Sequence, residues 1–123
     1  MTAPSLFVSH GAPTYAIEPG LAGEQLHALG LALGKPRGIV VVSPHWMTRG
    51  VAVTASARPP TIHDFGGFPD ALYSLQYPAP GDGALAARAA QLLQGLGLPV
   101  RLDDTRGLDH GAWVPLLHMY PDA

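Results

Sequence analysis

Apolar residues along this chain fall into two patterns. In the first, short continuous runs are bounded by Gly, Pro or Ser: Ser5–Leu6–Phe7–Val8–Ser9, then Gly38–Ile39–Val40–Val41–Val42–Ser43. Such apolar, β-branched runs read as strands buried on both faces. Gly50–Ser56, where Val51, Val53 and Ala55 alternate with smaller residues, reads as a third strand, and Pro99–Leu102 as a short fourth. In the second pattern the apolar positions recur at helical spacing. Leu21, Leu26, Leu29 and Leu33 predict a helix over Leu21–Gly34, stopped by Gly34 and Pro36. Leu85, Ala89, Leu92 and Leu93 predict another over Asp82–Gly95, with Asp82 as its cap. Ala112–Tyr120 predicts a last helix with Pro115 near its first turn. Arg58–Pro80 is rich in Pro, Gly and aromatics and reads as a long ordered loop with one helical turn over Asp70–Leu75. A loop of that length is uncommon without a task.

Strands alternating with helices predict an α/β fold, a mainly parallel sheet flanked by helices. The stretch between the first two runs can hold a crossover helix, so both strands can lie parallel. Neighbouring strands run ~4.8 Å apart. His10 and His45, each just past the end of a run, then emerge side by side. They emerge at the carboxyl edge, where open α/β sheets bind ligands. The last helix runs into Pro121–Asp122–Ala123, where the alternation calls for another strand. The pattern alone fits either a truncated part of a larger single domain, with apolar sheet surface left open, or a small complete four-strand fold.

Composition narrows the function classes. The chain has 123 residues, 47% of them hydrophobic, enough for one domain with a real core. Net charge is −2 and no basic patch stands out, which argues against nucleic acid as a partner. No apolar run approaches the ~18 residues of a membrane span. The start, Met1–Thr2–Ala3–Pro4, lacks the features of a signal peptide, so a cytoplasmic location is expected. Cysteine is absent, which excludes disulfides, thiolate metal sites and cysteine nucleophiles.

The candidate chemistry lies in the six histidines. The matched pair His10 and His45 is read as two metal ligands, since neutral imidazole suits Zn(II) and Fe(II). His110, in Gly107–Leu108–Asp109–His110–Gly111, reaches the same edge if the Pro99–Leu102 strand joins the sheet. It could serve as third ligand, as general acid/base, or as an inert loop residue. A facial triad of two histidines and one carboxylate would be completed by Asp64 or Asp109, and nothing in the spacing chooses between them. Asp109 alone reads as a turn or cap residue. Phe65 and Phe68 either line an aromatic pocket or pin the loop to the core, and Trp46 also fits an aromatic pocket. His27 and His118 fall within helices and read as surface or packing residues. There is no G-x-S-x-G elbow and no phosphate loop.

Five motifs occur in one order: Ser9–His10–Gly11–Ala12–Pro13, Ser43–Pro44–His45–Trp46, Thr61–Ile62–His63–Asp64–Phe65–Gly66–Gly67–Phe68–Pro69, Gln76–Tyr77–Pro78–Ala79–Pro80–Gly81 and Leu108–Asp109–His110–Gly111–Ala112–Trp113. Together they resemble the class III extradiol ring-cleavage dioxygenases, in their 4,5-DOPA dioxygenase branch. The resemblance spans essentially the whole chain. It implies a non-heme Fe(II) enzyme that opens a catechol such as DOPA with O₂, with Zn(II) possible in the same site. It implies His10 and His45 as metal ligands and His110 as a catalytic histidine beside substrate and O₂. Members of the family are about twice this length, so residues 1–123 would be the N-terminal part of the catalytic domain. The third metal ligand would then lie beyond Ala123, which overrules Asp64 and Asp109. Two other readings remain: a non-catalytic metal-binding fragment, and a zinc hydrolase on a similar scaffold.

Overall fold

The computed structural model describes residues 2–123. Two strands, β1 (Val51–Thr54) and β2 (Val100–Asp103), pair in parallel with Val51 opposite Val100 and Thr54 opposite Asp103. The pairing continues beyond the strands. Ala55 N–H donates to the Asp103 carbonyl at 2.8 Å, and a parallel bridge joins Thr61 to Leu108. The crossover between the strands carries a short helix, α2 (Asp70–Ser74), and a long one, α3 (Gly83–Gly95). The chain begins with a 3₁₀ turn (Pro13–Ala16) and α1 (Gly20–Leu33), and ends with α4 (His110–Met119). This is the expected mixed α/β architecture with a parallel sheet and helices.

Two expected strands are missing. Ser5–Ser9 and Gly38–Ser43 form no sheet hydrogen bonds among the described residues. Phe7 and Val42 are almost fully exposed, and Leu6, Val8, Ile39, Val40 and Val41 are exposed too. The apolar pattern marks residues suited to burial on both faces, but a strand also needs a neighbour to pair with. Among the described residues neither segment has one.

The helices follow the sequence more closely. α3 starts where its cap predicts, the Asp82 carboxylate accepting the Leu85 N–H at 2.9 Å. α1 begins one residue early, and its buried residues are Gly23 and Gly30 rather than the leucines; Leu21 is exposed. The reason is its partner. α1 packs on α4 through its smallest residues, so close that a Cβ at Gly30 would run into the Met119 carbonyl. His27 and His118 serve this packing. The His27 ring lies 3.1 Å from the His118 carbonyl, and the His118 ring 2.9 Å from that of Tyr15.

α4 is the centre of the molecule. Ala112, Trp113, Val114, Pro115 and Met119 are all buried along it. Trp113 and Val114 form the core with Tyr77, and Phe65, Leu75, Leu108 and Leu116 pack around them. Two buried polar groups of this core are satisfied by loop and C-terminal carbonyls. The Trp113 indole N–H donates to the Ile62 carbonyl at 2.9 Å, and the Tyr77 hydroxyl to that of Tyr120 at 2.9 Å. The long loop is thus wrapped on α4 as an ordered layer. No helix among the described residues is long and apolar enough to cross a membrane.

Two outcomes test this packing. Gly30→Ala forces α1 and α4 apart and should destabilise the fold by about 1–3 kcal/mol, read as a lower denaturation midpoint. Burial, helped by the neighbouring Tyr120, pushes the Tyr77 phenol up to about 12 from an ordinary 10.0. A raised folded pKa stabilises fully below pH 10 and is lost as pH rises through 12. Denaturation midpoints across that window should fall for the native chain, and Tyr77→Phe should remove this part of the slope.

Candidate metal centre

Three histidines from distant parts of the chain meet at the start of α4. His10 follows the first apolar segment and precedes the 3₁₀ turn. His45 stands in a turn after the second, where the Ser43 hydroxyl accepts the His45 N–H at 3.2 Å. His110 is the first residue of α4. The Nε2 atoms of His10 and His45 are 3.1 Å apart. The His45 and His110 rings lie 4.1 Å apart between centroids, those of His10 and His110 5.2 Å. One nitrogen from each ring falls within 4.8 Å of the others, a set that could hold a metal ion.

The geometry suits a small divalent cation. Metal–imidazole bonds of ~2.0–2.1 Å put neighbouring donors roughly 3.0–3.4 Å apart. The His10–His45 separation falls in that range. His10 Nδ1 is buried and without a partner, while His45 is exposed and His110 buried.

Two carboxylates border the cluster, and neither is a member of it. Asp109 is 3% exposed; its Oδ1 accepts the Ser43 hydroxyl at 2.6 Å and its Oδ2 the Arg106 guanidinium at 3.0 Å. That guanidinium lies over the Trp46 ring, 5.2 Å from its centroid. Asp64 Oδ1 accepts the backbone N–H of His110 at 2.9 Å and lies 2.9 Å from the Nδ1 of the same residue. Burial pushes the Asp64 carboxyl up, but the hydrogen bonds from the His110 backbone and ring outweigh it and hold it below the usual carboxylate range. The facial triad completed by Asp64 or Asp109 is therefore not formed.

The aromatic residues of the long loop stand beside the site. Phe65 meets the His110 ring edge to face at 5.6 Å and packs on Phe68 and Tyr73. His63 stays out of the site, its Nε2 donating to the Leu75 carbonyl at 2.7 Å. Sequence reasoning missed the roles of Ser43, Arg106 and Asp64. Ser43 could have been found, since a serine two residues before His45 is positioned for a hydroxyl-closed turn. Asp64 could not, because its partner is 46 residues away.

Residues 4–123 match a protein family described as the catalytic LigB subunit of aromatic ring-opening dioxygenase. This chain belongs to the LigB family. It is 54% identical over 121 residues to the 4,5-DOPA dioxygenase extradiol of Escherichia coli K12, covering 98% of this chain and 44% of that protein. It is 43% identical over 123 residues to the protein of the same description from Beta vulgaris, covering 97% and 46%. A solved structure of an uncharacterised Escherichia coli K12 protein shares the fold, with a TM-score of 0.63 and 43% identity over 84% of this chain and 36% of that one. The chain spans about half the length of the curated relatives it matches.

Within this LigB segment the cluster depends on close approach at Gly111. A Cβ there would sit 2.5 Å from Ser43 Oγ, 2.9 Å from His45 Cδ2 and 3.2 Å from Asp109 Oδ1. Gly111→Ala should therefore displace His45 and cost about 1–3 kcal/mol of stability. Cobalt(II) titration followed by absorbance should show weakened binding even below the melting range.

Proposed function

We propose that this chain carries the metal-binding and proton-transfer side of a non-heme Fe(II) extradiol dioxygenase that opens a catechol such as DOPA with O₂. The observation that carries the proposal is the His10–His45 pair, with Nε2 atoms at cis-ligand separation, meeting His110 beside an aromatic wall. The relatives named for DOPA cleavage support it.

In this proposal His10 and His45 hold the metal through neutral Nε2 lone pairs. Fe(II), when bound, supplies a common centre that brings diol and O₂ together and carries electrons between them. Zn(II) suits the same nitrogens without that redox chemistry. His110 is the catalytic residue, holding or moving a proton at the substrate oxygens. Phe65, Phe68 and Tyr73 offer a flat apolar wall that matches an aromatic ring and keeps water from that side. The third protein ligand belongs to sequence outside residues 1–123, so this segment alone binds metal weakly and turns over little.

Anaerobic Fe(II) titration, then L-DOPA and O₂ with detection of a yellow ring-opened product, tests the proposal. His10→Ala and His45→Ala should abolish metal binding. His110→Ala should spare it, and in a complete enzyme carrying this segment should slow ring cleavage by roughly 10²-fold or more. Robust DOPA cleavage by residues 1–123 alone would overturn the placement of the third ligand. One ring nitrogen from each of the three histidines lies within 4.8 Å of the others, which favours a second reading, a three-histidine zinc site with an open position for hydrolysis. Loss of metal in His110→Ala, with zinc-dependent ester hydrolysis and no catechol cleavage, would establish that reading instead.

A further inference from the structure

His110 Nδ1 is buried, and no well-aligned hydrogen bond reaches it. The polar atom against it is Asp64 Oδ1 at 2.9 Å. The contact is short, and the same oxygen also takes the His110 backbone N–H. An ionised carboxylate can only accept hydrogen bonds. A lone pair on Nδ1 at this distance would face the oxygen lone pairs and be repelled, whereas a proton there is drawn to the carboxylate charge even along a bent path. Nε2 is the other ring nitrogen, across the imidazole from Nδ1.

We infer that Asp64 is a positioning residue that holds His110 as the Nδ1–H tautomer, so that Nε2 meets the substrate as a lone pair and takes the proton of a catechol hydroxyl. The tautomer stands on this geometry alone, while the proton's source rests on the function proposed above. In the step, the substrate O–H bond breaks and leaves its electron pair on oxygen. An N–H bond forms at Nε2. The resulting imidazolium keeps its Nδ1–H on Asp64, whose negative charge offsets the new positive one. Without that carboxylate the positive end of α4 would oppose a cation at its first residue. Phe65, edge-on to the ring at 5.6 Å, limits its rotation away from Asp64. His110 is thus a proton acceptor first, and a donor only after it has accepted.

Ring-nitrogen NMR of the 123-residue chain with isotopically labelled histidine tests this in metal-free buffer, at a pH where the His110 ring is neutral. His110 is assigned by comparison with His110→Gln. The native chain should show a protonated Nδ1 and an unprotonated Nε2. Asp64→Asn keeps an acceptor oxygen and should preserve that pattern. Asp64→Ala should lose it and give a mixture of tautomers. A protonated Nε2 in the native chain would overturn the inference, whether or not any Asp64 variant folds. An unchanged pattern in a folded Asp64→Ala would overturn it as well. Neither metal nor catechol is present, so these outcomes do not depend on whether the dioxygenase proposal holds.

Discussion

The buried Asp109 carboxylate is the interaction on which the site's geometry depends. A carboxylate removed from water is tolerated only when paired and hydrogen-bonded. Here one oxygen is held by Ser43 and the other by Arg106. Those contacts join the segment before His45, the loop after β2 and the start of α4. Ser43 in turn closes the turn that presents His45. The distance between His45 and His110 is thus set by one anion and its two donors. Asp109 occupies the cap position of α4, yet its side chain does not cap the helix. Asp64, reaching in from the long loop, takes the His110 N–H instead. Two carboxylates divide the work: one locates the helix start, the other satisfies it.

The core carries this arrangement into the site. The Trp113 indole, fully buried on α4, ties its N–H to the Ile62 carbonyl. Two residues further along is Asp64, and after it Phe65. The hydrogen bond that anchors the loop to the core therefore also sets the carboxylate and the aromatic ring that face His110. Thr61 adds a second anchor, its hydroxyl accepting the Tyr77 N–H at 2.8 Å. A loop of this length without strands could not fix side chains beside an imidazole unless it were held at such points.

What the sequence made legible follows the range of each interaction. The cap of α3 and the stop of α1 are local and were read correctly within a residue. α4 begins at His110 rather than Ala112, because its first N–H is satisfied by Asp64 from far along the chain. The apolar runs before His10 and His45 were read as strands, yet strand formation requires a partner that local pattern does not encode. The histidines converge all the same, since Gly, Pro and Ser at the ends of those runs turn the chain there. His10 and His45 are legible as a matched pair past two apolar runs, and His110 only as a candidate for the same edge. Their supporting groups, Asp64 and Arg106, act across the fold and leave no periodic trace. The leucine spacing of α1 marks the helix but not its contact, because close helix packing selects small residues there.

Electrostatics limits what the three histidines can do together. Two positive imidazoles about 4 Å apart repel by about 4 kcal/mol at an effective dielectric constant of about 20. Positive charge brought into this cluster therefore calls for a counter-charge nearby. Asp109 already has its counter-charge in Arg106. Asp64 has none apart from His110 among the described residues, and it is held ionised. The cluster thus has one uncompensated anion beside it, enough to offset a single proton on His110 or part of the charge of a divalent ion. A proton arriving at Nε2 from a substrate hydroxyl would be stabilised by Asp64. No carboxylate pairs with the His10 or His45 ring among the described residues. That asymmetry is consistent with the proposed division of roles between His110 and the pair His10 and His45.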